Sequence, residues 1–138
     1  MVKRTHSSQA LRKTRGTKYE HMVAEDLRDR KLPKIRIYTK EGVDIHASNG
    51  VRWKVEVKSV QQKEKTENGY RQGRVTLKKT DLDDADILAM VITDTDEIYY
   101  TKTDHVKEWL EDKGKYKTGK STKITINQMK QFPRAKLH

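Results

Sequence analysis

The sequence predicts a single α/β domain, a mixed central β-sheet flanked by helices, and three observations lead there. Residues 51–60 alternate with period two: Val51, Trp53, Val55 and Val57 fall on one face, and Arg52, Lys54, Glu56 and Lys58 on the other. That is the pattern of a half-buried strand. Residues 87–92, Ile-Leu-Ala-Met-Val-Ile, are apolar without a break, as in a strand covered on both faces at the centre of a sheet. Residues 17–31 and 104–113 carry apolar side chains at helical spacing, and a chain of 138 residues is one domain by default.

Taken in order, residues 1–15 hold Lys3, Arg4, Arg12, Lys13 and Arg15 and no acid, so they read as a flexible or weakly helical basic arm. Gly16 punctuates. Thr17 and Glu20 then fit the N-cap and N3 positions of a capping box, opening a helix to about Lys31 with Tyr19, Met22, Val23 and Leu27 on its apolar face. Pro33 ends it. Residues 35–39 read as a first strand and 43–47 as a second. Ser48-Asn49-Gly50 is a hairpin turn that makes 43–47 and 51–60 antiparallel neighbours. Residues 61–73, with Asn68-Gly69, read as a loop or ragged hairpin, and 74–78 as a short edge strand. Residues 80–86 read as one or two helical turns with Thr80 as N-cap. Residues 97–101 read as the hairpin partner of 87–92, and 104–113 as a helix closed by Gly114. The Lys-rich remainder offers one strand, 123–126. The domain layout expected is a basic arm 1–15, a core 16–113 and a basic C-terminal extension 114–138.

Composition narrows the function. Apolar residues make up 33% and charged residues 37%, enough for one sheet and a few helices. There is no cysteine, which removes disulfides and thiolate metal sites. No apolar run reaches membrane-spanning length, and no signal-peptide apolar region follows the basic start, so a soluble intracellular, cytoplasmic protein without a membrane partner is expected. The net charge of +11 is uneven. Residues 1–40 hold twelve Lys/Arg against four Asp/Glu, and residues 113–138 hold eight against none. The middle, 41–112, holds eleven against sixteen. Basic flanks around an acidic centre suit a polyanion held by the flanks and a cation held in the middle. Nucleic acid is the partner this implies, with Arg12, Lys13, Arg15, Lys18, Lys63, Lys65, Arg71 and Arg74 as candidate phosphate contacts.

The candidate chemistry lies on the second and third strands. Asp44 and His46 share the polar face of 43–47, and Glu56 and Lys58 share that of 51–60. Paired through the short turn, the two strands bring Asp44 toward Glu56 and Lys58. Two carboxylates and a lysine at the rim of a sheet can hold a divalent metal and a water beside a phosphate. Glu20 sits at the margin of the buried face of the first helix. The acidic run 81–86 lacks the glycine and distal Glu of a calcium loop.

An Asp on one strand, Glu-x-Lys on the next and a Glu on the first helix resemble the signature of the PD-(D/E)XK nuclease superfamily. The matching residues are Asp44, Glu56-Val57-Lys58 and Glu20. Gly16-Thr17-x-x-Glu20 also resembles the opening of the archaeal Holliday junction resolvases. The resemblance spans roughly residues 16–102. It implies a restriction-endonuclease-like core and Mg²⁺-dependent hydrolysis of DNA phosphodiesters, with Mn²⁺ as a substitute. In that family's terms Asp44, Glu56, the Val57 carbonyl and Glu20 would hold the metal. Lys58 would orient the attacking water and meet the phosphate charge. The resolvase likeness points further to branched DNA, a homodimer and roles in recombination and repair. Two departures stand out: Val43 replaces the family's Pro, and 80–86 is short where resolvases carry a long helix. The alternative from another class is a non-catalytic basic DNA-binding module.

Overall fold

The computed structural model describes residues 8–30, 34–37, 45–48, 52–117 and 119–137. The first helix, α1 (Ser8–Asp29), is followed by strands β1 (Lys34–Ile37), β2 (Ile45–Ser48) and β3 (Arg52–Val60). Next come the short strands β4 (Lys63–Thr66), β5 (Gly69–Gln72) and β6 (Arg74–Lys78), then helix α2 (Lys79–Asp83). Strands β7 (Ile87–Ile92) and β8 (Glu97–Lys102), helix α3 (Thr103–Asp112), strand β9 (Ser121–Thr125) and helix α4 (Ile126–Gln131) complete the order. The fold is α/β, a mixed sheet between helical layers. None of the described helices is long and apolar enough to cross a membrane.

The main sheet runs β1-β2-β3-β7-β8. β1, β2 and β3 pair antiparallel, the β2–β3 pair being the one expected from the sequence, with Ile45 opposite Val55. β3 pairs parallel to β7, with Glu56 opposite Leu88 and Lys58 opposite Met90. β7 is buried along its whole length, and β8 returns antiparallel beside it.

Alternation along the strands sends side chains to two cores. Val55, Ile87, Ala89, Val91 and Tyr100 face α1, which contributes Val23, Ala24 and Leu27. Val60, Leu88, Met90 and Ile92 face the opposite layer, built by β6, α2, α3, β9 and α4 through Leu77, Leu82, Val106, Ile124 and Met129. Each buried aliphatic side chain contributes about 1.5–3 kcal/mol, so both helical layers are held mainly by these faces.

Two expectations change, and the C-terminal segment gains a described structure. α1 begins at Ser8, not at Thr17, so Gly16 and Thr17 are interior positions and Thr17 is not the N-cap. An interior glycine costs a helix only about 1 kcal/mol, and Ala10, Leu11, Arg12 and Lys13 are strong helix formers. The short helix after β6 is capped by Lys78, not Thr80. The Lys-rich C-terminal extension is also packed: β9 pairs with β6, and Ile124, Ile126, Met129, Phe132 and Leu137 are buried. Helix α4 starts at Thr125, whose hydroxyl accepts from the Gln128 N–H at 3.2 Å.

The polar stretch 61–73 resolves into a two-stranded ribbon, β4–β5, outside the main sheet. Gly69 turns it with φ +136°, a conformation that L side chains rarely adopt. Gly73 lets the chain pass directly against the Gln61 carbonyl, where any Cβ would collide.

Candidate active site

Glu56 and Lys58 lie on the β3 face turned away from α1, between β2 and β7. Glu56 is only 7% exposed, an unusual position for a carboxylate, with buried Leu88 opposite it on β7. The Lys58 ammonium lies 3.9 Å from Glu56 Oε2 and 3.1 Å from Asp81 Oδ2. Asp81 comes from α2, and the same oxygen accepts the Lys78 backbone N–H at 2.8 Å. One carboxylate therefore caps the helix and fixes the lysine. The result is a line of charge, Glu56–Lys58–Asp81, at the polar end of a face that becomes apolar at Val60.

His46 is half-buried and pairs with Lys54 across the β2–β3 ladder. Its strand neighbours Ile45 and Ala47 face α1, so His46 belongs to the Glu56 side of the sheet. Asp44 lies outside the described residues. Glu20 is half-buried on α1, one turn before Val23 and Ala24, on the stripe that meets the sheet. That stripe packs on the face opposite Glu56. Among the described residues, no group of three or more His, Asp or Glu side chains is placed to hold a metal.

Asp81 is the residue that pattern reading of the site missed. In the sequence it is one member of an acidic run. The structure separates that run by task. Asp83 takes Lys79 at 2.6 Å and faces Lys107 at 3.8 Å. Asp86 accepts the Lys54 N–H at 3.0 Å and so ties the start of β3 to the start of β7.

The candidate DNA contacts divide as sharply. Lys18, Lys63 and Lys65 are exposed. Arg74 donates to Glu64 at 2.8 Å, and Arg71 lies 3.5 Å from the same carboxylate. The Arg74 hydrogen bond, with the charges of Arg74 and Arg71, holds the Glu64 carboxyl below its ordinary range. The opposite face of the ribbon carries Lys63, Lys65 and Tyr70 with no acid, and Tyr70 is 72% exposed. Arg12, Lys13 and Arg15 lie on the backbone of α1, and their side chains are outside the described residues.

No family model and no curated protein matches the chain. Among solved structures it is similar to a bacterial homing endonuclease, at 17% identity and a TM-score of 0.46, covering 79% of this chain and 75% of the other. A superposition that loose assigns neither ancestry nor activity.

Proposed function

We propose that this chain is a metal-dependent DNA endonuclease that hydrolyses phosphodiester bonds at Glu56 and Lys58. The observation that carries the reading is the near-buried Glu56 carboxylate with Lys58 beside it on one sheet face, in a protein of net charge +11. Burying a carboxylate beside apolar side chains is unfavourable. A near-buried carboxylate that gathers an ammonium and a second carboxylate around it is a candidate working site.

The donor set suits a hard divalent ion such as Mg²⁺ or Mn²⁺, which prefers carboxylate and carbonyl oxygen. Glu56 and the Val57 carbonyl supply two donors of that type. Asp44 would supply another: it precedes Ile45, and Ile45 pairs with Val55, the residue before Glu56. When bound, such an ion acidifies water and offsets phosphate charge. Lys58 would orient the attacking water and meet the charge that grows on the phosphate. Asp81 keeps the lysine in place for that task. Arg12, Lys13, Arg15 and Lys18 on α1, and Lys63 and Lys65 on the ribbon, would hold the duplex by its phosphates. Branched DNA as the preferred substrate and a homodimer that makes paired cuts extend the same reading.

The second reading, a DNA-binding module without catalysis, is favoured by one contact. Asp81 already gives Lys58 a structural use. Incubating four-way junction, flap, nicked and linear duplex DNA with Mg²⁺, Mn²⁺ or EDTA separates the two. The endonuclease reading expects cutting that needs the metal and is lost in Glu56→Ala and Lys58→Ala. Salt-sensitive binding with no cutting in either metal would leave the binding module.

A further inference from the structure

We propose that a basic trough beside the β6–β9 pair binds the phosphate backbone of DNA and leads a strand toward Glu56 and Lys58. This rests on the endonuclease reading above for its direction, though not for its chemistry. Lys115, Lys117, Lys120 and Lys123 line a cleft of about 490 Å³ together with Arg74, whose guanidinium is held by Glu64; no carboxylate is among the lining residues. A second cleft of about 330 Å³ shares Lys120 and Ser121 with it and continues to Lys78, Lys79 and Thr80. The trough therefore ends at α2. There the Lys78 N–H and the Lys58 ammonium are bound by one oxygen of Asp81.

The chain builds this surface through two glycines. Gly114 (φ +67°) turns the chain out of α3, and Gly119 (φ +76°) turns it toward β9. The lysines near these turns project beside the β6–β9 ladder, where Thr122 Oγ1 donates to the Lys115 carbonyl at 3.4 Å.

Electrostatics points to the ligand. Among the described residues no ion pair holds Lys115, Lys117, Lys120 or Lys123. The acid of the second cleft, Asp83, is taken by Lys79 and Lys107. Four ammonium groups in one concavity repel each other, and an extended polyanion relieves the repulsion while releasing its own counterions. The hydroxyl of Ser121 adds a donor of the kind that fixes a phosphate. No large apolar side chain lines either cleft, so nothing there would anchor an acidic peptide.

The test is fluorescence anisotropy with a short labelled DNA duplex in EDTA across a salt series. Wild type is compared with a variant carrying Lys115→Ala, Lys117→Ala, Lys120→Ala and Lys123→Ala, and with the matching Lys→Arg variant. Each neutralised phosphate adds about 0.9 to the slope of log affinity against log salt. Four lost contacts lower the slope by about 3–4, so between about 50 and 200 mM salt wild type loses roughly a hundredfold more affinity than the Ala variant. The Arg variant keeps the wild-type slope. An Ala variant with wild-type slope and wild-type melting overturns the proposal, as does an equal loss of slope in the Arg variant. Equally salt-steep binding to duplex RNA with none to DNA overturns the choice of partner. Cutting is read separately on the same proteins. A wild type that binds but never cuts would sink the endonuclease reading whichever way the slopes fall.

Discussion

Replacing Asp81 with alanine removes two bonds at once, and the structure lets each be weighed. The first is the acceptor for the Lys78 N–H at 2.8 Å. Losing such a side-chain acceptor at a helix start costs about 1 kcal/mol. The second is the 3.1 Å pair with Lys58, whose side chains are 27% and 18% exposed for Lys58 and Asp81. After solvent screening such a pair contributes about 1 kcal/mol. Asp81→Ala should therefore lose about 2 kcal/mol, which lowers Tm by roughly 6 °C in a domain of this size. Asp81→Asn keeps an oxygen for the Lys78 N–H and should lose only about 1 kcal/mol. Urea melts of Asp81→Asn, Lys58→Ala and the double variant close a cycle with an expected coupling of about 1 kcal/mol. In the endonuclease reading, Asp81→Asn also slows cutting by roughly tenfold or more, because a catalytic group that is free to wander loses its alignment. DNA affinity stays at the wild-type level. A coupling below about 0.3 kcal/mol would refute the reasoning, since Lys58 would then not be held by Asp81 in solution.

Two further predictions concern the frame. The Tyr100 hydroxyl is buried, donates to Asp26 at 2.7 Å, and is raised above its ordinary pKa, first by burial and then by Asp26. The folded state therefore favours the neutral phenol. Its contribution is complete below the unfolded value of about 10 and is lost as pH rises through the folded value. Tyr100→Phe should cost about 1 kcal/mol at pH 7 and lose less stability than wild type between neutral and strongly alkaline pH, measured by urea melts. Gly73→Ala places a Cβ against the Gln61 carbonyl, in a segment pinned by Gly73 N–H to Gln62 O at 2.7 Å and Ile126 N–H to Gly73 O at 3.0 Å. Backbone on both sides leaves little room to yield, so a loss of about 2–3 kcal/mol is expected in thermal or urea melts.

Local periodicity carried much of the fold. The alternation of 51–60 and the apolar run of 87–92 announced β3 and the buried β7, and Asn68-Gly69 announced the β4–β5 turn. The Ser48-Asn49-Gly50 turn implied the antiparallel β2–β3 pair. Other features depend on contacts between distant residues. The β6–β9 pairing joins residues 74–78 to 121–125, and nothing near either strand encodes it. Ile124, Met129, Phe132 and Leu137 are scattered singly among lysines, so the packed C-terminal segment looked like a tail. Gly16 suggested a helix boundary because glycine is a poor helix former, but its neighbours outweighed it. At the candidate site, Glu56 and Lys58 were legible because a strand sets residues two apart on one face. Asp81 was not, because its approach to Lys58 exists only once α2 docks beside β3.

The most direct test of the account compares wild type with Glu56→Gln for nicking of supercoiled DNA in Mg²⁺, with DNA affinity measured on the same preparations. Glutamine keeps the size of the side chain and removes its charge. The account predicts metal-dependent nicking by wild type, a fall of roughly a thousandfold or more in the variant, and affinities that agree within about twofold. Nicking by Glu56→Gln at the wild-type rate would contradict it.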